Sequence, residues 1–455
     1  MNKKFLLSIC LLSGSLALSS CSLFNDSDIL EPNIYNPQYD EEETVAPGTT
    51  VIDLPSGEVA EKDAPAEAGV GTKVFKNICY GTYNEDTDTY TIPNTYKVGG
   101  SHHMGYNVNG GEDYPNANQL HNNYDLYVPS ESVTPRDQKH VVILFIHGGA
   151  WVSGVKTDVN PYIHEFANRG YITATIKYTL LRREMDDPSR SIFRNLDEID
   201  ACIKSIKKVL GELGFDTSKS QLVIGGASSG AHLSMLYSYS RGKESPIPIK
   251  FVVDAVGPVN IKEDCWKAFT SASESVLDAG LDKTAIAAQS SNLSPLAIAG
   301  EGKNWTDYQT FRIANGMCGM PYTIEQVKAA TDTDENYVVH SEVESYQNMI
   351  AEGGGEDQLS VTYWINKADE ASKFPIICAY AGLDSIVGIK QYATLQTALD
   401  AKGITSYTAE SGKNYIYFRY SGHELELENT DPHYSDYVNR YNELINAVAT
   451  WADAA

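Results

Sequence analysis

The stretch from Gln221 to His232 constrains this chain more than any other. A short apolar run, Leu222–Ile224, has the length and residue types of a strand, and the residues after Gly230 have the pattern of a helix. Between them Ser228 stands in a turn with a glycine two residues to either side. Glycine permits both unusual backbone angles and close approach of helix and strand, so the stretch predicts a nucleophile elbow, a turn that exposes a serine hydroxyl.

The elbow pattern has an alternative interpretation, a glycine turn in which Ser228 only caps the following helix. A glycine-x-serine-x-glycine sequence arises by chance in roughly one chain in five of this length, because glycine is a common residue. The hypothesis of a nucleophile therefore depends on what the rest of the chain supplies.

Composition limits the size of the fold and the class of partner. The 455 residues, 42 % of them hydrophobic, are enough for one large α/β domain or two smaller ones. The formal net charge of −25 argues against nucleic acid and anionic membrane surfaces as partners. The spacing of the cysteines fits no zinc pattern, so no metal site is expected.

The N-terminus has the features of an export signal. Lys3 and Lys4 precede a short apolar stretch, Phe5–Leu12, and a Leu-Ser-Ser-Cys sequence ends at Cys21. This resembles the bacterial lipoprotein signal, in which the cysteine becomes the lipidated first residue; an ordinary secretory peptide is the alternative. The sequence predicts a signal peptide over residues 1–20 and an exported protein, periplasmic or at the cell surface, held to a bacterial membrane only by its N-terminal lipid.

Three regions follow the signal. Residues 21–70 are acidic and rich in Pro, Ser and Gly, which predicts a flexible tether. Residues 71–455 alternate strand and helix patterns, and the unbroken apolar run Val141–Ile146 is typical of a strand buried on both faces. We expect the α/β class, with a mostly parallel, doubly wound sheet and helices on both faces. Residues from about 259 to 370 break the alternation, and we expect a lid or cap there, with a separate small domain as the alternative.

Two cysteines, Cys265 and Cys318, lie within this predicted insertion and could form a disulfide in an oxidising compartment. Two others, Cys202 and Cys378, lie in apolar runs and are predicted to be buried thiols.

Three polar residues follow predicted strands in the order Ser228, Asp384, His423. A serine hydroxyl needs an adjacent base that is oriented by a third group, and the carboxyl ends of parallel strands meet at one edge of a sheet. We predict Ser228 as nucleophile, Asp384 as acid and His423 as base, an order typical of the α/β sheets that carry such elbows. Asp254 is the rival acid but lies inside its strand, and His433 lies in a looser acidic stretch.

A Gly-Gly loop at residues 147–151 directly follows the apolar run. Glycine lets backbone N–H groups face a substrate without an intervening side chain. We expect an oxyanion hole from the N–H groups of Gly149, Ala150 and Ser229. His147 and Gly148 are predicted to support the loop rather than transfer protons.

The chain from about residue 120 to 450 resembles the α/β-hydrolase fold, and is most similar to its hormone-sensitive-lipase-like and carboxylesterase-like branch, with bacterial feruloyl and acetyl xylan esterase relatives. The matching segments are Tyr124–Pro129, His147–Trp151, Gly226–Leu233, Gly382–Asp384 and Ser421–His423. The resemblance implies ester hydrolysis through an acyl-enzyme, without metal or organic cofactor. Two features depart from it: Ala150 stands where many relatives have a third glycine, and the insertion before Asp384 is long.

These observations predict a serine carboxylesterase acting on a small-molecule or polysaccharide ester. Acyl groups on plant polysaccharides are the first expectation, since a tethered, acidic, tyrosine-rich exported enzyme suits that task. The alternatives are a peptidase of the prolyl-oligopeptidase type, although no propeller-like repeats precede the domain, and a non-catalytic carbohydrate-binding lipoprotein on the same scaffold.

Overall fold

The computed structural model describes residues 72–80, 82–84, 89–91, 105–107, 123–181, 191–261, 317–318, 356–384, 387 and 389–454. The predicted signal peptide, Cys21 and the tether lie outside the described residues, as do Cys265 and most of the predicted insertion. Export, lipidation and a disulfide at Cys265 therefore stay predictions. None of the helices in the described ranges has both the length and the apolar character needed to cross a membrane.

The described strands form two sheets. Their bounds are β1 (Lys73–Cys79), β2 (Thr82–Asn84), β3 (Thr89–Thr91), β4 (Gly105–Asn107), β5 (Asn123–Val128), β6 (His140–Ile146), β7 (Ile172–Lys177), β8 (Ser220–Ala227), β9 (Ile249–Ala255), β10 (Ile376–Ala381) and β11 (Ile416–Phe418). The main sheet has eight strands in the order β1-β5-β7-β6-β8-β9-β10-β11, and β2, β3 and β4 form a small antiparallel sheet. In the main sheet β5 runs antiparallel to both of its neighbours, and the other pairs are parallel.

Helices cover both faces of the main sheet. Their bounds are α1 (Asn160–Asn168), α2 (Ile192–Glu212), α3 (Ser229–Arg241), α4 (Val361–Lys367), α5 (Ile389–Lys402) and α6 (Tyr434–Asp453). Apolar side chains of α2, α3, α4 and α5 share one hydrophobic cluster with the sheet. Those of α1 and α6 share a second cluster on the opposite face.

The central strand β6 shows why the apolar run forms a doubly covered strand. Every residue of β6 is buried. Successive side chains of a strand point to opposite faces, so Val142 and Leu144 join the first cluster while Val141 and Ile143 join the second. An alternating polar residue would place an unsatisfied group in one of the two cores.

The longest helix of the first layer, α2, follows directly from its sequence. Ser191 caps it, its hydroxyl oxygen accepting the Arg194 N–H at 3.1 Å. Apolar residues at helical spacing, from Leu196 to Leu210, are fully buried. Gly214, just beyond the end, adopts a φ of +87°, the left-handed conformation in which glycine ends a helix at no steric cost.

The carboxyl end of β8 carries the serine turn near the middle of the sheet. A mostly parallel sheet with helices on both faces and a strand–serine–helix turn at its centre is the α/β-hydrolase fold, and the predicted fold class is confirmed. Two boundaries differ from expectation. The sequence predicts a last strand over 414–420, but β11 spans only Ile416–Phe418. In addition, α4 lies within the predicted insertion yet packs into the first core through Val361 and Ile365.

A buried ion pair joins β5 to the segment that follows the Gly-Gly loop. Lys156 Nζ lies 2.8 Å from Asp125 Oδ1, and both side chains are 1 % exposed. The same ammonium donates to Asn123 Oδ1 at 2.8 Å, and the Thr175 hydroxyl donates to the Lys156 carbonyl at 2.6 Å. Because neither charge can be solvated from outside, the pair fixes the path of the chain beyond the loop.

We predict that Lys156→Met lowers the free energy of unfolding by about 3–5 kcal/mol, because it leaves the Asp125 carboxylate buried without its ion-pair partner. Urea denaturation measures the change. A matched control is Lys204→Met, which removes the exposed Lys204–Asp200 pair and should change stability by less than about 0.5 kcal/mol. Equal effects of the two variants would contradict the assignment, and Lys156→Met with Asp125→Leu should recover part of the loss.

Candidate active site

Ser228 occupies a strained turn. Its φ of 53° and ψ of −122° are rare for a residue with a side chain, a conformation that costs on the order of 1–3 kcal/mol. The turn is held from both sides, since the Ser228 N–H donates to the Ala255 carbonyl at 2.8 Å and the His232 N–H donates to the Ser228 carbonyl at 3.0 Å. The surrounding structure thus enforces a geometry that the free chain would avoid.

Two glycines make the turn possible by bringing α3 against β8. A Cβ on Gly226 would lie 2.4 Å from the Gly230 carbonyl carbon, and a Cβ on Gly230 would lie 2.1 Å from the Ile146 oxygen. Both distances involve backbone atoms that cannot move aside. Gly226 and Gly230 are therefore required by the close helix–strand crossing beneath Ser228.

The structure brings the three predicted residues together. His423 Nε2 lies 2.8 Å from Ser228 Oγ, and His423 Nδ1 lies 2.8 Å from Asp384 Oδ2. A carboxylate only accepts hydrogen bonds, so Nδ1 carries the proton and donates to Asp384. Nε2 is then the acceptor for the serine hydroxyl, which is the arrangement that lets an imidazole remove the hydroxyl proton.

Asp384 is fixed in place by the ends of two neighbouring strands. It follows β10, its side chain is fully buried, and its Oδ1 accepts the Val387 N–H at 2.8 Å. The Leu383 N–H donates to the Ser421 carbonyl at 3.0 Å, which ties the acid loop to the loop that carries His423. The distance between acid and base is therefore set by main-chain contacts.

Acidic groups raise the basicity of His423. Burial alone would lower its pKa, but the Asp384 carboxylate, through its charge and its hydrogen bond, and the Glu424 carboxylate raise the pKa above the ordinary value. Desolvation by neighbouring groups also raises the pKa of Asp158, although its side chain reaches the surface; the Val155 N–H that hydrogen-bonds to it opposes the increase, and Glu424 adds to it. Glu424 thus lies within electrostatic reach of both groups, and this side of the site is acidic.

The Gly-Gly loop is a tight turn in which one carbonyl oxygen accepts two backbone hydrogen bonds. Gly149 has a φ of +110°, and its oxygen accepts the Val152 N–H at 3.1 Å and the Ser153 N–H at 2.9 Å. In a trans peptide the carbonyl and the following N–H point in opposite directions, so the Ala150 N–H is directed away from this turn. The Gly148 carbonyl is paired with His147 Nδ1 at 2.8 Å, and the Gly149 N–H points away from the imidazole for the same reason.

The loop lies directly against the serine turn. A Cβ on Gly148 would lie only 3.2 Å from the Ser228 Cβ. Ser229, the third predicted donor, is the first residue of α3, where backbone N–H groups have no partner within the helix and the helix dipole is positive. That these N–H groups form an oxyanion hole stays a prediction.

His147, the first residue of the loop, is fully buried. Its ring stacks on Tyr178, with the ring centroids 4.4 Å apart and the planes at 14°. The Tyr178 hydroxyl donates to the His147 carbonyl at 3.3 Å. Both contacts hold the first residue of the loop.

Sequence reasoning missed two residues beside the site. Tyr178 follows β7 and braces His147, and His232 lies one helical turn after Ser228 and contacts Trp151. The signal for His232 was its spacing, because residues four apart on a helix share a face.

The rival acid, Asp254, has a different place. It lies in β9, fully buried, where Oδ1 accepts the Gly257 N–H at 2.8 Å and Oδ2 accepts the Tyr380 hydroxyl at 2.7 Å. Burial raises the pKa of Asp254 to about 7, although these hydrogen bonds oppose the increase. Its described partners fix the turn after β9.

Among the described residues no three His, Cys, Asp or Glu side chains are grouped to hold a metal ion. Cys202 and Cys378 are buried, as the apolar runs around them predict, and burial raises the pKa of both thiols. Cys318 is also buried.

Comparison with known sequences gives partial matches. Residues 124–297 match the BD-FAE family model, a segment that includes the Gly-Gly loop and Ser228 but ends before Asp384. Over 116 residues the chain is 29 % identical to a probable isoprenylcysteine alpha-carbonyl methylesterase of Arabidopsis thaliana, covering 26 % of this chain and 22 % of that protein. Over 144 residues it is 25 % identical to a non-reducing polyketide synthase of Stereocaulon alpinum, covering 31 % and 6 %. The chain thus spans less than a quarter of either relative.

Solved structures give longer but distant matches. Esterase B from Lactobacillus Rhamnosis is 13 % identical, with a TM-score of 0.44 and coverage of 87 % of this chain and 88 % of that one. A truncated carbohydrate esterase from gut microbiota is 14 % identical, with a TM-score of 0.47 and coverage of 86 % and 100 %.

The raised pKa of Asp254 predicts a pH-dependent stability. The folded protein binds this proton up to about pH 7, whereas an unfolded Asp releases it near pH 4, so stability is fully present below pH 4 and falls as the pH rises to about 7. Asp254→Asn removes this loss, and the variant should gain stability relative to the wild type across that interval. Urea denaturation at several pH values measures the difference. The prediction would be wrong if the difference in free energy of unfolding between Asp254→Asn and the wild type stayed constant from pH 4 to pH 7.

Proposed function

We propose that this protein is a serine carboxylesterase, with Ser228 as nucleophile, His423 as base and Asp384 as the group that orients His423. The observation that carries the proposal is the position of one imidazole 2.8 Å from both the serine hydroxyl and a buried carboxylate, at the ends of three strands. The BD-FAE match across the serine turn and the partial likeness to a methylesterase support the same reaction class.

In the proposed reaction Ser228 Oγ attacks the acyl carbonyl carbon while its proton passes to His423 Nε2. The carbonyl oxygen gains the negative charge, which the N–H groups of Gly149, Ala150 and Ser229 stabilise. His423 then gives its proton to the departing alcohol as the ester C–O bond breaks, leaving an acyl-enzyme. A water molecule, deprotonated by His423, attacks the acyl carbon, and the acid product leaves as Ser228 regains its proton.

The charge beside the site supports a neutral ester as substrate. Asp158 and Glu424 interact electrostatically, and Glu424 also acts on His423. These acidic groups would repel a negatively charged substrate. They would also repel the carboxylate product once hydrolysis has formed it, which favours its release. Acyl groups on neutral polysaccharides or oligosaccharides satisfy this condition, and we propose them as the substrate class.

The test is turnover of short p-nitrophenyl esters by the wild type and by Ser228→Ala. We expect the substitution to lower kcat by about four to six orders of magnitude, because the nucleophile and its base act as a unit. A fluorophosphonate should label the wild type once, as measured by intact mass, and should not label the variant.

The matched control is Ser238→Ala, which removes a buried hydroxyl of α3 that donates to the Ser234 carbonyl. It should keep both turnover and labelling. Equal activity of wild type and Ser228→Ala, or a wild type inert towards a panel of acetylated, feruloylated and methyl esters, would refute the esterase. Cleavage of proline p-nitroanilides instead would favour the peptidase.

A second prediction concerns the pH profile of kcat/KM. The base must be neutral to accept a proton, so activity rises with pH through the pKa of His423. Glu424→Gln removes a negative charge that raises this pKa, and the acid limb of the profile should therefore move to lower pH. Glu428→Gln, an exposed substitution five residues beyond His423, should leave it in place. An unmoved limb in Glu424→Gln would show that this carboxylate does not act on the base.

A further inference from the structure

A buried imidazole joins the Gly-Gly loop to two other parts of the fold. The Trp151 indole Nε1–H donates to His232 Nδ1 at 3.2 Å, and His232 Nε2 lies 2.7 Å from the Leu359 carbonyl oxygen. The indole and imidazole planes meet at 87°. Trp151 is 2 % exposed, and His232 and Leu359 are fully buried.

The two partners allow only one form of the imidazole. An indole N–H is a donor only, so Nδ1 of His232 must accept; a carbonyl oxygen is an acceptor only, so Nε2 must carry the hydrogen. Each ring nitrogen of His232 is therefore used by one partner. Burial lowers the pKa of His232 to about 4, which agrees with a neutral ring.

The loop that His232 contacts is strained at its far end. Ala150 and Trp151 have φ values of 51° and 64°, which residues with side chains rarely adopt. Such a conformation persists only where the surroundings hold it. The Leu181 N–H holds the Trp151 carbonyl at 2.8 Å, and His232 holds the indole.

His232 also belongs to the serine turn, because its N–H donates to the Ser228 carbonyl. One residue thus contacts the turn through its backbone and the loop through its side chain. A shift of α3 relative to the loop would break the indole–imidazole hydrogen bond.

We propose that His232 is a positioning residue for the oxyanion hole. Its neutral imidazole fixes the Trp151 side chain, which holds the Ala150–Trp151 backbone in its strained form and keeps the loop N–H groups in register with Ser228. The Leu359 carbonyl, within the predicted insertion, orients the ring through its second nitrogen. The role rests on the proposed esterase function.

Kinetics of His232→Phe test this role. We expect kcat to fall about ten- to a hundredfold with KM little changed, less than the loss of a whole oxyanion donor, because the N–H groups remain but are misplaced. Rates are divided by the number of sites that a fluorophosphonate labels, so that unfolded protein does not count. Affinity for a trifluoromethyl ketone, whose serine adduct carries the oxyanion, should weaken by a similar factor.

The control is Leu236→Ala. This substitution also removes buried atoms from α3, but its side chain takes no part in the hydrogen bonds that link Trp151, His232 and Leu359. It should lower thermal stability and leave the rate per labelled site unchanged. Trp151→Phe should reproduce the effect of His232→Phe, and the double variant should be no slower than the worse single variant, since both remove the same hydrogen bond. Fully multiplicative losses would overturn the proposal.

Nuclear magnetic resonance tests the contact without any reliance on activity. The chain has five tryptophans, and the Trp151 indole N–H signal is the one lost in Trp151→Phe. In His232→Phe this signal should move upfield, because its acceptor is gone. An unmoved signal, or an unchanged rate and ketone affinity per labelled site, would overturn the role of His232. A wild type that neither reacts with the fluorophosphonate nor hydrolyses esters would instead refute the proposed function, and the role of His232 with it.

Discussion

The site depends on the absence of side chains where α3 crosses β8. At Gly230 a Cβ would overlap the Ile146 oxygen, and at Gly226 it would overlap the first turn of the helix. Only this close crossing lets the chain reverse within one residue, and the reversal forces Ser228 into its strained backbone conformation. The strain is stored in a turn that both neighbouring elements hold, and it keeps the hydroxyl exposed instead of folded into the helix.

Main-chain hydrogen bonds also hold the serine turn and the acid loop against neighbouring strands. The Ser228 N–H is held by Ala255 at the end of β9, and the acid loop after β10 is held by Ser421 beyond β11. Main-chain hydrogen bonds thus fix the loops that carry Ser228, Asp384 and His423 to neighbouring strands of one sheet. Hydrogen bonds of about 2.8 Å between residues 195 and 39 positions apart in the chain are a consequence of that common frame.

The sequence was sufficient for the fold and for the three residues that the structure brings together, and the reason is physical. Parallel strands are buried on both faces, so they appear as unbroken apolar runs, and polar residues after such runs meet at one edge. Asp384 and His423 could be chosen over Asp254 and His433 on position alone.

Other features could not be predicted because their partners are far apart in the chain. Nothing near Lys156 indicates that Asp125 will neutralise it, and the apolar residues of α4 give no sign that they complete a core begun more than 150 residues earlier. His232 stands in the most informative stretch of the sequence, yet its role depends on an indole 81 residues away. The packing of the predicted insertion could not be predicted either, since a helix pattern alone does not show which hydrophobic core the helix joins.

The contact between His232 and Leu359 has an evolutionary consequence. The acceptor is a backbone oxygen, and every residue type supplies one. The hydrogen bond therefore constrains where the backbone lies at residue 359 but not its side chain, which must be apolar for a different reason, its complete burial in the first core. Replacement of Leu359 by another apolar residue of similar size can thus keep both the packing of the core and the support of the strained loop.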